Sequence, residues 1–363
     1  MNSQVEERTF IQRFASFFKK PLVRYVFKRI GNSMITLFFI TTAVFLLLRM
    51  IPKETYIDYG KLNKIPESAR EAYIESIYER FGLNDPVHIQ LLNYYRDILP
   101  IPTEVCVQTR YDEYWQVYCH ESETVLINFG NSVKYKNGKP VMTLIEERFP
   151  VSFKLAMWFT LFMYVFGYPL GVAMAKNKGK WVDKLGNGYI VLTMAVPGIV
   201  FYYLWLIISM MVFRLPSVFD SENWLTWITP VWAVAFMGTA STALWVRRFM
   251  VDEMNSDYVK FARSKGLSER KIMFTHVLRN AIVRLVRGIP VAIMLAVMGS
   301  YFVEMLWNIP GSGNLLILAI RLKDNPLVQG LTIIYAILSM TAYLLGDLVT
   351  VFMDPRISLT ENK

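Results

Sequence analysis

The chain has 363 residues, 54% of them apolar, 15% aromatic and 19% charged, with a net charge of +10. Its charges cluster between long apolar runs, the pattern of a polytopic membrane protein. The positive balance follows from topology and contact with anionic lipid, which leaves a nucleic-acid partner without a role.

Residues 1–32 form a cytoplasmic amphipathic segment. Phe10, Phe14, Phe17 and Phe18 share one face, with Arg13, Lys19 and Lys20 around the other, which predicts a helix lying in the membrane interface. No short apolar core with a small-residue cleavage site follows the start, so residues 33–51 read as an uncleaved first anchor. Pro21 starts the helical stretch leading into it. In all, six runs approach the roughly 20 residues that a spanning helix requires. They are Ser33–Ile51, Val151–Ala175, Leu185–Phe213, Pro230–Trp245, Leu285–Trp307 and Leu331–Met353.

Residues 52–150 form a large outer segment. Glu67–Phe81 predicts a helix supported by charge pairs and ended by Gly82. Leu99–Leu126 shows no clear period and reads as an irregular insert. It holds the chain's two cysteines, Cys106 and Cys119, beside His120. Two Cys and one His make an incomplete zinc set, so a disulfide in an oxidising compartment is expected rather than a metal site.

If the spans alternate, segments 1–32, 176–184, 246–287 and 354–363 share one side. They carry 7, 4, 10 and 2 Lys/Arg, 23 of the 39. Short positive loops stay cytoplasmic, so both termini are placed inside. Residues 53–150 carry 11 basic and 15 acidic residues, a net of −4, on the other side. Residues 151–353 then form a five-helix core with a cytoplasmic loop at 246–287, followed by a tail at 354–363.

Within that loop, Asp257–Ala281 is the most informative stretch. It predicts two short helices broken at Gly266, a residue tolerant of positive φ. Asp257 is expected to cap the first, with Tyr258, Phe261, Ala262 and Lys265 on one face. Ser268 is expected to cap the second, with Met273, His276 and Val277 forming another stripe. A basic, amphipathic elbow between two spans is a docking surface for something in water.

Motifs for chemistry are absent. There is no GxxxxGK[ST] loop for ATP, and GSG at 311–313 lacks the rest of a nucleotide fingerprint. No GxSxG or HExxH occurs, and His88, His120 and His276 are not spaced as metal pairs. Among ionisable residues in or near spans, Glu304 and Asp347 sit on different helices and read as structurally partnered. Arg49 and Lys154 lie near span ends and can snorkel. Pro197 is placed to kink the third span, and Gly167, Gly171 and Gly238 allow close helix approach.

Several stretches resemble the permease subunits of the oligopeptide/dipeptide family of binding-protein-dependent ABC importers. YVFKRIGNSMITLFFITTAVFLLLRMIP is similar to that family's first span, and RFGLNDPVHIQ to its Gly-Leu-Asp-x-Pro-like external turn. FGNSVKYKNGKPVMTLIEERFPVSFKLA is similar to its lead into the second span. DYVKFARSKGLSERKIMFTHVLRNA resembles its cytoplasmic EAA loop, VEMLWNIPGSGNLLILAI an outer Glu…Pro-Gly-x-Gly feature, and GDLVTVFMDPR the end of its sixth span. There are departures. Lys260, Phe261 and Ala262 stand where Glu-Ala-Ala is usual, IPKET replaces a Gly-Asp-Pro, and Leu99–Leu126 is added.

The resemblance implies an all-α integral membrane protein with six transmembrane helices. It is a type I ABC importer-like bundle with an external insert after the first span, in the cell membrane with both termini cytoplasmic. It implies a second homologous permease subunit, two cytoplasmic ABC ATPases carrying ATP and Mg, and an extracellular substrate-binding lipoprotein delivering peptide. This chain itself binds no cofactor and is no enzyme. Ala262, Arg263, Lys265, Gly266, Leu267, Ser268 and Glu269 become the ATPase-coupling residues. Glu304, Pro310, Gly311 and Gly313 become an external closing turn. A metal chelate or haem is the alternative cargo. A secondary transporter, or a membrane-anchored sensor or enzyme, is the rival class.

Overall fold

A computed structural model describes residues 21–111, 117–136, 138–299 and 301–353. The amphipathic N-terminal segment before residue 21 and the tail at 354–363 lie outside the described residues. The chain divides into two compact units, each assembled from separate stretches.

The first unit comprises Met1–Ile35, Phe153–Ile309 and Leu338–Lys363. It contains the start of α1 (Pro21–Arg49) and most of α4 (Val141–Lys176). It also holds α5 (Trp181–Ala195), α6 (Gly198–Met211), α7 (Leu225–Met254) and the end of α13 (Asn325–Met353). The helices α4 and α7 lie close because small residues face each other. A Cβ on Gly171 would come within 2.5 Å of the Val246 Cβ, and one on Gly167 within 2.6 Å of the Thr242 Cβ. Gly238 likewise faces Met163. These are the glycines expected to permit close approach.

The third apolar run is not one straight helix. The two halves α5 and α6 meet at Val196–Pro197 with a bend of 103°. A residue before proline is driven from the helical region, and Val196 has φ −89° and ψ 123°. Proline therefore breaks this run rather than kinking it. Among the described residues five helices are long and apolar enough to cross a membrane, or six if the bent pair counts as one span. Their ends extend beyond the apolar runs. The 36 residues of α4 amount to about 54 Å at 1.5 Å per residue, well beyond the ~30 Å hydrocarbon core.

Asp347, deep in α13, is buried and satisfied. It accepts from Tyr25 Oη at 2.6 Å and pairs with Arg287 at 2.8 Å and Arg29 at 3.7 Å. This is the structural partnering expected of it.

The second unit comprises Thr36–Ser152 and Pro310–Ile337. After the end of α1 come α2 (Arg70–Arg80), within the expected helix, and α3 (Val87–Ile98). Gly82, at φ +58°, follows α2 as anticipated. The stretch read as irregular is instead an antiparallel hairpin of β1 (Thr103–Tyr111) and β2 (Val117–Val125), which corrects the all-α expectation. The register has irregularities after Cys106 and Gln108. Such bulges disrupt the period-2 signal by which a strand is read. The ladder sets Cys106 opposite Ser122 and Cys119 opposite Thr109, so the cysteines are not cross-strand partners.

An apolar core of Phe129, Val141, Leu144, Leu315, Leu327 and Leu331 joins the beginning of α4 to α12 (Ser312–Leu322) and α13. Asp324, fully buried between those last two helices, organises the loop before α4. It accepts from Ser132 Oγ at 2.6 Å and from the backbone N–H groups of Val133, Lys134 and Tyr135 at 2.9–3.2 Å. Asn325 Nδ2 donates to Tyr56 Oη at 2.8 Å.

Candidate coupling site

The segment after α7 folds as the sequence dictates at its breaks. Helix α8 (Asp257–Ser264) is followed by Lys265 and then Gly266 at φ +75°. Gly266 N–H donates to Arg263 O at 2.9 Å and Leu267 N–H to Ala262 O at 3.3 Å, the paired bonds of a Schellman stop. Leu267 tucks against the same apolar cluster as Ala262. Ser268 then starts the next helix, its side chain accepting from Lys271 N–H. The helix continues from Glu269–Lys271 through a π-helical turn, Ile272–Val277, into α9 (Leu278–Val286).

Two local expectations are corrected. Ser256, not Asp257, occupies the N-cap of α8, and Asp257 in the first turn pairs with Lys260 at 2.8 Å. The buried face of α8 is Val259 and Ala262 rather than Tyr258, Phe261 and Lys265. With Val259 and Ala262 packed inward, Phe261 lies on the outer side, 60% exposed, with the Lys265 ammonium 4.4 Å from its ring centroid. In the second stripe Met273 and Val277 are buried as expected, while His276 is only half-buried. Ile272 takes the place that His276 was given. The five-residue step from Ile272 to Val277 is the π repeat, which a 3.6-residue reading cannot register.

The buried residues lock the elbow to its spans. Val259, Ala262, Ile272, Met273, Val277, Ala281 and Leu285 pack with Ala175 of α4 and Val246 and Met250 of α7. Glu253, at the end of α7, accepts from Tyr258 Oη at 2.5 Å and from Arg284 Nη2 at 2.5 Å, tying α7, α8 and α9 together. Burial and the hydrogen bond to Glu253 push the Tyr258 hydroxyl above its ordinary pKa. Nearby, Arg247 holds buried Asp183 through two bonds of 2.5 and 2.8 Å, which fixes α5 to α7.

The outward face carries what the packing leaves free. Arg263 makes a two-bond pair with Glu269 across the Gly266 turn, at 2.7 and 3.2 Å, and this contact raises the Arg263 pKa. Phe274, 47% exposed, lines a shallow depression with Ser268, Arg270 and Lys271. Of the seven residues assigned to coupling, Arg263, Lys265, Gly266, Ser268 and Glu269 lie on this surface, Leu267 is half-buried, and Ala262 faces the core. Phe261 and Phe274 complete the surface. Their signal was two phenylalanines in a strongly charged loop. Among the described residues no three His, Cys, Asp or Glu side chains converge as a metal site.

The proposed closing turn divides between the units. In the first, Glu304 is fully buried in α11 (Tyr301–Leu306), which follows α10 (Gly288–Gly299). Its carbonyl accepts from Ile309 N–H at 2.7 Å. In the second, Gly311 precedes α12 and Gly313 is buried within it, while Ser312 N–H donates to Ser152 Oγ at 2.7 Å. The Arg49 guanidinium lies 5.0 Å from the Phe45 ring centroid and lines a cavity in the second unit.

Residues 167–359 match the family of the binding-protein-dependent transport system inner membrane component, and residues 22–156 match its N-terminal companion. The oligopeptide transport system permease protein AmiC of Streptococcus pneumoniae is 38% identical over 201 residues, 54% of this chain and 40% of that protein. The matched region thus spans less than half of that relative. The dipeptide transport system permease protein DppB of Lactococcus lactis is 31% identical over 93% of this chain and 100% of its own length. DppB of Bacillus subtilis is 28% identical over 93% of this chain and 99% of its own. A chain of the MetNI methionine ABC transporter, 13% identical, superposes with a TM-score of 0.46 over 58% of this chain and 97% of its own. With several apolar helices and a family match across more than half its length, the chain is a multi-pass membrane protein and belongs to the binding-protein-dependent transport system inner membrane component family.

Proposed function

We propose that this chain is one transmembrane half of an ATP-driven peptide importer and that its elbow is the part gripped by a cytoplasmic ATPase. One observation carries the coupling role. The elbow presents Phe261, Phe274 and basic side chains outward while its inner face is fixed to α4 and α7 by a shared core and by Glu253. A surface that merely set topology by charge would need neither the exposed aromatics nor the rigid backing. A force applied there reaches the spans because the elbow cannot slide on them.

In this reading a second homologous permease completes the pathway and two ATPases bind ATP and Mg. An extracellular lipoprotein delivers the cargo. Peptide cargo is supported by relatives that match nearly the whole chain, two of which are named for dipeptide transport. Six spans, with the bent α5–α6 pair as one and both termini cytoplasmic, agree with the 23 basic residues placed inside. Cys106 and Cys119, the two cysteines of the outer segment, form a disulfide in this reading.

The test is purification of the tagged full chain from its native membrane in mild detergent, with bound proteins identified by mass spectrometry. Recovery of a second permease, ATPases and a secreted binding protein is expected. Recovery of the chain alone, still transporting in liposomes without ATP, would overturn the importer reading.

A further inference from the structure

The second unit carries a half-open cavity of about 460 Å³, within the size range of small-ligand sites. Its wall has polar atoms that the protein leaves without a partner. Arg49 Nε and Nη1, Gln90 Oε1 and Tyr94 Oη are all buried and make no hydrogen bond. Gln90, which lines the cavity, is 8% exposed, and its amide nitrogen is held by Asp85 O at 2.7 Å, which leaves its oxygen as a buried acceptor without a donor. Arg49 makes no ion pair among the described residues. A buried guanidinium with unused donors calls for an anionic acceptor, and a carboxylate fits its fork.

The remaining charges narrow the ligand. Arg96 lies on the wall but already pairs with Asp97 at 3.4 Å. Glu79, Asp85 and Glu104 also line the cavity. A phosphate or other multiply charged anion would be repelled by these acids. A molecule with one carboxylate and one ammonium suits both ends.

We propose that this cavity binds a small zwitterion, the free-ended short peptide or amino acid. Its carboxylate pairs with Arg49 and bonds to Tyr94, and its ammonium faces Gln90 Oε1 and the acidic wall. The proposal rests on the peptide reading above and gives that cargo a resting place within this chain, where the end of α1 meets the segment assigned outside. The donor atoms are buried, so the ligand meets them by a turn of the side chains that line the cavity.

The experiment is calorimetry on the full chain in lipid nanodiscs, without any binding protein, using dialanine, dialanine amide and N-acetyl-dialanine. Saturable binding of dialanine is expected, at least tenfold weaker for the amide and for the acetylated form. Arg49→Gln should abolish the acid-over-amide preference, while Arg49→Lys should retain part of it. If Arg49→Gln fails to insert, Tyr94→Phe gives a second reading, with a several-fold weaker dialanine affinity expected. Lack of saturable dialanine binding, equal binding of acid and amide, or an unchanged preference in Arg49→Gln would each overturn the site. Dialanine uptake by the assembled transporter is measured in parallel. Uptake without binding here removes the site and leaves the importer reading. Binding here without peptide uptake does the reverse.

Discussion

Gly266 illustrates how a single residue fixes the elbow. A Cβ there would meet nothing within 4 Å, so space is not what demands glycine; the φ of +75° is. A β-carbon in that conformation costs roughly 1–2 kcal/mol. Gly266→Leu is thus strained, and Gly266→Pro cannot adopt the angle and also loses the N–H that bonds Arg263 O. Both variants are expected to insert normally yet lose ATP-driven uptake. Normal uptake and ATPase association in both would remove the coupling assignment. Asp324 plays a comparable part in the second unit. Asp324→Ala strands three backbone N–H donors and one hydroxyl, at about 1–3 kcal/mol for each that stays buried and unsatisfied. A marked fall in thermal stability in detergent is expected, and an unchanged melting curve would show that water takes its place. Gly266 and Ser268 were legible in the sequence because they are local punctuation. Asp324 was not, because its loop partners lie about 190 residues away.

At the scale of elements, the sequence located the apolar runs and erred at their internal joints. Hydropathy averages over a window, so the Val196–Pro197 break disappeared into one long third run, although proline marked the place. Periodicity failed where the helix itself changed period, at Ile272–Val277, and where bulges blurred a short hairpin. The spacing in α8 fits more than one face, and packing buries Val259 and Ala262, which leaves Phe261 on the outer side. Close helix packing was foreseen from glycine alone, and it gives a sharp prediction. In Gly171→Leu the new side chain would collide with Val246 and the Ala243 carbonyl across α4 and α7. Overpacking of this kind costs about 1–3 kcal/mol, and more where backbone must move. A lower melting temperature with weakened ATPase binding is expected, whereas Gly188→Leu, where a Cβ meets nothing, should change neither.

For the whole molecule, orientation is the testable statement. A cysteine introduced at Lys178 should resist a membrane-impermeant maleimide added to intact cells, while one at Glu104 should label, in a background with Cys106 and Cys119 replaced. The opposite pattern would invert the topology. In the native chain, resistance of Cys106 and Cys119 to alkylation until reductant is added is the expected result of their bridge; full alkylation without reductant would exclude it. The charge distribution was readable because it is a sum over many residues and tolerates local error. The pairing of distant segments was not, because no single stretch encodes it.

The Asp347 cluster gives that distant pairing a cost in time. Tyr25 and Arg29 leave the ribosome long before their partner, and the carboxylate they share arrives 322 residues after Tyr25. At about 5–20 residues per second the interval is roughly 15–60 s. Throughout it the nascent chain has its earliest helix without its final neighbour. A newborn copy is therefore exposed to membrane proteases and insertion chaperones until Asp347 has been made. A transcript broken shortly before codon 347 would yield a chain that cells clear rather than keep.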